Sequence, residues 1–136
     1  GLGLLPLVTV FEADKTVRPT AAHFGPLAGP WSALAGVAVS GYEIHHGQTA
    51  QHPAMAAAGD VERVALTDAQ GRPLGWQSRA GNVLGLYLHG LFEDPAAVRA
   101  LFGIDAPTLE RVFDGLADFV EARVAPGVLA SLIAAR

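Results

Sequence analysis

The chain has 136 residues, enough for one domain or a large part of one, and it is 51% apolar against 16% charged, a balance that favours a buried core over disorder. Its formal charge of −4 is spread along the sequence with no basic stripe, which excludes nucleic acid and acidic membrane surfaces as natural partners. The longest apolar runs are short or broken by Gly and Pro, so nothing reads as a membrane span.

The N-terminal run Gly1-Leu2-Gly3-Leu4-Leu5-Pro6 has no initiating Met and no positively charged leader region, so the chain reads as a cut segment. Leu4, Leu5 and Leu7 lead into a buried strand over Val8 to Phe11. Glu12 to Pro30 is polar and carries Pro19, Pro26 and Pro30 with Gly25 and Gly29, which predicts an irregular connection. Ala35 to Ile44 reads as a strand and Gln48 to Asp60 as a loop. A meander follows: a strand over Val61 to Leu66, a turn at Asp68-Ala69-Gln70-Gly71, a return over Leu74 to Ser78, a turn at Ala80-Gly81-Asn82, and a strand over Val83 to His89. With no helix between these strands, neighbours pair antiparallel.

The last third is helical. Asp94 caps one helix with Pro95 at its first position, and Gly103 ends it. Asp105 is the expected cap of the next, where Leu109, Val112, Phe113, Leu116, Phe119, Val120 and Val124 recur at helical spacing as a core-facing stripe. Pro126 and Gly127 separate this from a short terminal helix through Leu129, Leu132 and Ile133. The expected class is α/β, with C-terminal helices covering a mixed sheet that contains the antiparallel meander.

There is no cysteine, which excludes disulfides, Cys-ligated zinc and any thiol nucleophile within the chain. Absence of disulfides fits the cytoplasm. Dinucleotide and P-loop fingerprints are missing, as is a G-x-S-x-G elbow. Two constellations remain, both at strand ends where α/β sheets place ligands: Gly41-Tyr42-Glu43-Ile44-His45-His46-Gly47 and Tyr87-Leu88-His89-Gly90-Leu91-Phe92-Glu93. His89 can serve as a general acid/base or as a hydrogen-bonded structural histidine. Alternation along a strand puts Glu43 and His45 on one face and His46 on the other. Orienting a polar substrate, binding a metal, or simply forming a polar strand end are all open to that pair. No tight ligand motif such as H-E-x-x-H occurs, so no metal is assigned.

These motifs, in this order, resemble the glutamine amidotransferase domain of cobyric acid synthases. The resemblance runs through Gly1-Leu2-Gly3-Leu4-Leu5-Pro6-Leu7, Thr9-Val10-Phe11, Lys15-Thr16-Val17-Arg18, Val39-Ser40-Gly41-Tyr42-Glu43-Ile44-His45, Gly81-Asn82-Val83-Leu84-Gly85 and Tyr87-Leu88-His89-Gly90-Leu91-Phe92-Glu93. It implies that residues 1–136 are the C-terminal part of a class I amidotransferase-like, flavodoxin-like domain, without the nucleophile-bearing part and the ATP-binding domain. It further implies glutamine as nitrogen donor, His89 as acid/base partner of an upstream Cys, and Tyr42, Glu43 and His45 as lining of the glutamine pocket. Family members amidate corrin-ring carboxylates, so the implied partner is a corrinoid of the adenosyl-cobyrinic acid a,c-diamide type, held by a synthetase domain. ATP and Mg are implied for the full-length enzyme and no cofactor for this segment. The position two residues after the histidine, Glu in typical triad amidotransferases, is Leu91, which leaves a Cys–His dyad. The isolated chain is expected to lack glutaminase activity and to self-associate. The other readings open are a non-catalytic module binding a corrinoid or partner subunit, and a metal-dependent hydrolase built on His45, His46 and His89.

Overall fold

Why the first half of the chain forms one long ribbon follows from its β-favouring residues and from where its prolines fall. In the computed structural model, which describes residues 2–105 and 107–134, β1 spans Leu7–Phe24 and β2 spans Ala38–Gln51. The two pair antiparallel along nearly their whole length, from Leu7 opposite Gln51 to His23 opposite Ala38. The irregular connection expected over Glu12 to Pro30 is therefore strand as far as Phe24. A shift of register between Phe11 and Thr16 absorbs the polar Glu12 to Lys15, as a bulge does. Pro19 is tolerated because β1 gains its second neighbour, β3, only at Ala22–Phe24; at Pro19 it is still an edge. The loop expected from Gln48 is shortened in the same way, since β2 runs to Gln51 and a single helical turn, α1 (Pro53–Ala57), follows.

The meander is β3 (Arg63–Asp68), β4 (Pro73–Gln77), β5 (Leu84–Leu86) and β6 (Leu88–His89). Its first turn is held by Asp68, whose Oδ1 accepts from the backbone N–H groups of Gln70 and Arg72. The strand order is β5-β4-β3-β1-β2-β6, and each of its five pairings is antiparallel. The expected mixed sheet is thus corrected to an antiparallel one among the described residues. The reason is connectivity: β3–β4 and β4–β5 are joined by short links that reverse the chain, and β1–β2 by a longer loop with one 3₁₀ turn, none of them the long helical crossover that parallel neighbours require. One residue, Tyr87, separates β5 at one edge from β6 at the other, so the sheet must curl round until its two edges nearly meet.

Ala22, Phe24, Leu34, Val39, Leu66, Leu74, Leu88, Leu91 and Ala97 form the core. A 3₁₀ turn at Gly29–Leu34 contributes Leu34, and α2 (Pro95–Phe102) packs against that turn and β2. As the sequence signals predict, Asp94 caps α2, Pro95 begins it and Gly103 ends it.

Residues 1–105 and 106–136 are two separate compact units. In the second, α3 (Leu109–Glu121) is capped by Thr108, whose hydroxyl accepts from Arg111 N–H. The expected cap, Asp105, belongs to the first unit and pairs with the Arg99 guanidinium instead. None of α3 is buried, and Leu109, Val112, Phe113, Leu116, Phe119 and Val120 are all exposed. That corrects the reading of this stripe as core: so short a unit cannot enclose its own apolar face. Within the first unit, α2 packs against β2 in the sense expected. A terminal helix, α4 (Val128–Ala134), follows Gly127. Gly1, where the resemblance begins, and the side chain of Leu129 lie outside the described residues. No described helix is long and apolar enough to cross a membrane.

Candidate active site

Strand β2 carries the first constellation, and its two faces have different surroundings. Val39 and Glu43 are buried, with Gly41, His45 and Thr49 on the same side, while Ser40, Tyr42 and His46 alternate with them and are exposed. Glu43 and His45 thus share a face and His46 points away, as the alternation predicts.

Glu43 is only 1% exposed, and a carboxylate at that depth needs partners. Arg18, directly opposite it on β1, donates from Nε to Oε2 at 2.6 Å. Arg72, from the β3–β4 turn, donates to the same oxygen at 3.2 Å and pairs with Asp68 at 2.6 Å. Oε1 lies 2.8 Å from His45 Nε2; a carboxylate only accepts, so the hydrogen sits on Nε2. The His45 ring stacks on Tyr87, with centroids 4.3 Å apart and planes at 24°. Trp76 meets Tyr87 edge-on, and the Tyr87 hydroxyl is hydrogen-bonded to those of Thr49 and Thr9. Glu43, His45, Thr49, Arg72, Trp76 and Tyr87 border a cavity of about 160 Å³.

His89 lies on the other side. Strand β6 pairs with β2 through Leu88 opposite Glu43 and His89 opposite Tyr42, and directly opposed residues project to the same face. Leu88 accordingly joins the core, whereas His89 stands exposed beside Tyr42. Its Nε2 is 3.3 Å from the Ile44 carbonyl oxygen. A carbonyl cannot donate, so Nε2 carries the hydrogen and Nδ1 keeps its lone pair. Gly90 turns the chain away at φ +84°, a conformation glycine adopts without strain. Gly41 is required by proximity: a Cβ there would collide with the His89 carbonyl oxygen and press on the Leu88 side chain.

The same face carries a cleft of about 320 Å³, lined by Pro19, Ser40, Tyr42, Gly90, Glu93 and Asp94 among others. Asp94 fastens its floor. Oδ1 caps α2 through Ala96 and Ala97 N–H, and Oδ2 accepts from Ser40 N at 2.8 Å and Ser40 Oγ at 3.1 Å. No hydrogen bond joins Glu93 to His89 among the described residues.

The structure therefore brings His89 and Tyr42 together and keeps Glu43 and His45 together on the opposite face. Sequence pattern assigns no separate role to Arg18 or Tyr87 beyond the motifs that contain them, none to Arg72, and to Asp94 only that of helix cap. The available signal for Arg18 was its place in the alternating Thr16-Val17-Arg18-Pro19-Thr20; Arg72 gave none, since it reaches Glu43 from a turn. Among the described residues no three His, Asp or Glu side chains gather as a metal site.

The family profile described as the CobB/CobQ-like glutamine amidotransferase domain matches residues 1–97. Two proteins named cobyric acid synthase are close in sequence: one from Polaromonas sp. strain JS666, 63% identical over 98% of this chain and 26% of its own length, and one from Acidovorax ebreus, 66% identical over 97% and 26%. A third, from Leptothrix cholodnii, is 56% identical over 98% of this chain and 25% of its own. The chain thus spans about a quarter of the length of the curated relatives it matches. No solved structure matches it.

Proposed function

This chain belongs to the CobB/CobQ-like glutamine amidotransferase domain family, and we propose that it is the His-bearing part of the glutaminase site of a cobyric acid synthase. The observation that carries this is identity of 56–66% over nearly all of the chain with relatives of that name. The geometry supports it, because His89 is exposed at a strand end beside a cleft, with its ring held on one side by the Ile44 carbonyl.

In the complete enzyme a Cys thiolate, supplied by sequence outside this chain, attacks the glutamine side-chain amide. A tetrahedral centre forms and collapses to a γ-glutamyl thioester, releasing ammonia. Water then cleaves the thioester to glutamate and regenerates the thiol. His89 takes the proton from the thiol, returns it to the departing nitrogen, and repeats the exchange with water. With Nε2–H committed to Ile44, the nitrogen that accepts the proton is Nδ1. Tyr42, beside His89, lines the glutamine pocket. The ammonia goes to corrin-ring carboxylates of an adenosyl-cobyrinic acid a,c-diamide type of substrate, activated with ATP and Mg elsewhere in the polypeptide. No phosphate-cradling Gly-rich motif occurs in the sequence, and no step of this chain's residues runs through a nucleotide. The same reading places the enzyme in the cytoplasm and the antiparallel sheet inside a larger flavodoxin-like domain. Exposed Val10, Phe11 and Val17 on β1 are the apolar surface such a domain would cover.

The test is ammonia release from glutamine by the complete enzyme. His89→Ala should lower it at least about a hundredfold, the usual scale of a lost acid/base; unchanged release would remove the reading. The 136-residue chain alone should release none.

A further inference from the structure

We infer that Glu43 and His45 are positioning residues for His89, acting through Tyr87 from the far face of β2, and that neither touches glutamine. That His89 is the acid/base rests on the function proposed above; the mechanical link does not.

The first argument is topological. β6 is two residues long and has two register pairs with β2, too short a ladder to fix its own place. The strand before it, β5, is committed to β4. Between the two edges stands Tyr87 alone; buried Leu88 and the Ser40–Asp94 bonds anchor β6 from its far side, and Tyr87 sets where Leu88 and His89 enter from the near side. Tyr87 is accordingly held from several sides: its N–H donates to Leu74 O at 2.8 Å, its ring lies on His45 and against Trp76, and its hydroxyl joins Thr49 and Thr9.

A second argument is prior commitment. Both oxygens of Glu43 are spent on protein, Oε2 on Arg18 and Arg72 and Oε1 on His45. His45 has given Nε2 to Glu43 and one ring face to Tyr87, and its Nδ1 is buried without a partner. Glu43 is 1% exposed and His45 Nδ1 is buried, so a glutamine held by these groups would have to displace the protein that covers them. It would also lie across the sheet from His89 and Tyr42, with the β2 backbone between. What remains for the Glu43–His45 pair is to hold the Tyr87 ring at a fixed height, and with it the two residues that follow.

The test compares His45→Ala with His45→Phe in the complete enzyme, reading glutaminase kinetics and the ¹⁵N spectrum of the His89 ring. In the parent protein His89 should show hydrogen on Nε2, from its bond to Ile44 O. His45→Ala removes the stacking surface: kcat should fall about ten- to a hundredfold, as misplacement of a reacting group does, with KM for glutamine within about twofold, as expected when ground-state binding is untouched. The His89 Nε2–H should lose its hydrogen-bond shift and exchange rapidly with water. His45→Phe keeps a ring on Tyr87 but loses the tie to Glu43, so it should restore part of kcat and part of the His89 signal, above His45→Ala and below the parent.

A raised KM with kcat retained in either variant would mean that the imidazole contacts glutamine, and would overturn the inference. An unaltered His89 spectrum in His45→Ala would overturn it as well. Should His45→Ala fail to fold, His45→Phe and Tyr87→Phe, which deletes only the hydroxyl contacts, decide it by the same KM and spectral criteria. Failure of the functional reading looks different: ammonia release would survive His89→Ala while the His89 spectrum still responded to His45→Ala.

Discussion

The two faces of β2 make an instructive pair. One face of six consecutive residues, Gly41 to His46, holds a buried carboxylate and a half-buried imidazole bonded to each other; the other presents Tyr42 to a cleft and, across the ladder, an exposed His89 next to cleft-lining Gly90. Polar residues adjacent in sequence can therefore do unlike work: the inner ones fix the sheet, and the outer ones remain free for a ligand. Chemical type alone does not separate the roles. Both faces carry a histidine, and what distinguishes His45 from His89 is how much of each ring the protein has already used.

Substitutions can break or sharpen this contrast. The largest effect is expected at Gly41→Ala, where the two faces meet, because the new methyl collides with backbone at His89 rather than with a movable side chain; destabilisation should reach about 3 kcal/mol, the upper range for overpacking, read from urea midpoints. Glu43→Ala comes next. Losing one partner of a buried ion pair can cost more than 3 kcal/mol, but the Arg18 and Arg72 side chains are 45% and 44% exposed and can turn to water, so about 2 kcal/mol is expected. Asp94→Ala removes the α2 cap and the link to Ser40, for about 1–2 kcal/mol. Smallest is Tyr42→Ala, with a stability change within about 0.5 kcal/mol and a raised KM for glutamine in the complete enzyme. If Tyr42→Ala proved as destabilising as Glu43→Ala, the division of labour between the faces would collapse.

Sequence periodicity carries local facts well. Alternation separated Glu43 and His45 from His46, and the Asp94-Pro95 and Gly103 punctuation marked α2, because each depends on backbone geometry within a few residues. Pairing was less legible. The length of β1 was hidden by Pro19 and the polar stretch before it, since nothing local reveals that a strand edge is free or that a bulge will take up Glu12 to Lys15. That His89 shares a face with Tyr42 rather than with Glu43 depends on register across a sequence gap of some 45 residues, which no window of sequence contains. The α3 stripe has clear helical spacing, and spacing does not say what, if anything, covers it.

The single-residue link at Tyr87 also bears on how the chain folds. The β3–β4 hairpin and β4–β5 can form from neighbouring residues, and the β1–β2 ribbon from one larger loop, but the sheet is complete only when Leu88 and His89 reach Tyr42 and Glu43. Closing distant contacts costs loop entropy before they return any stabilisation. The β6 docking step should thus come last and limit the refolding rate, with the second edge of β2 unpaired while the chain waits, and that interval is when association between molecules is fastest.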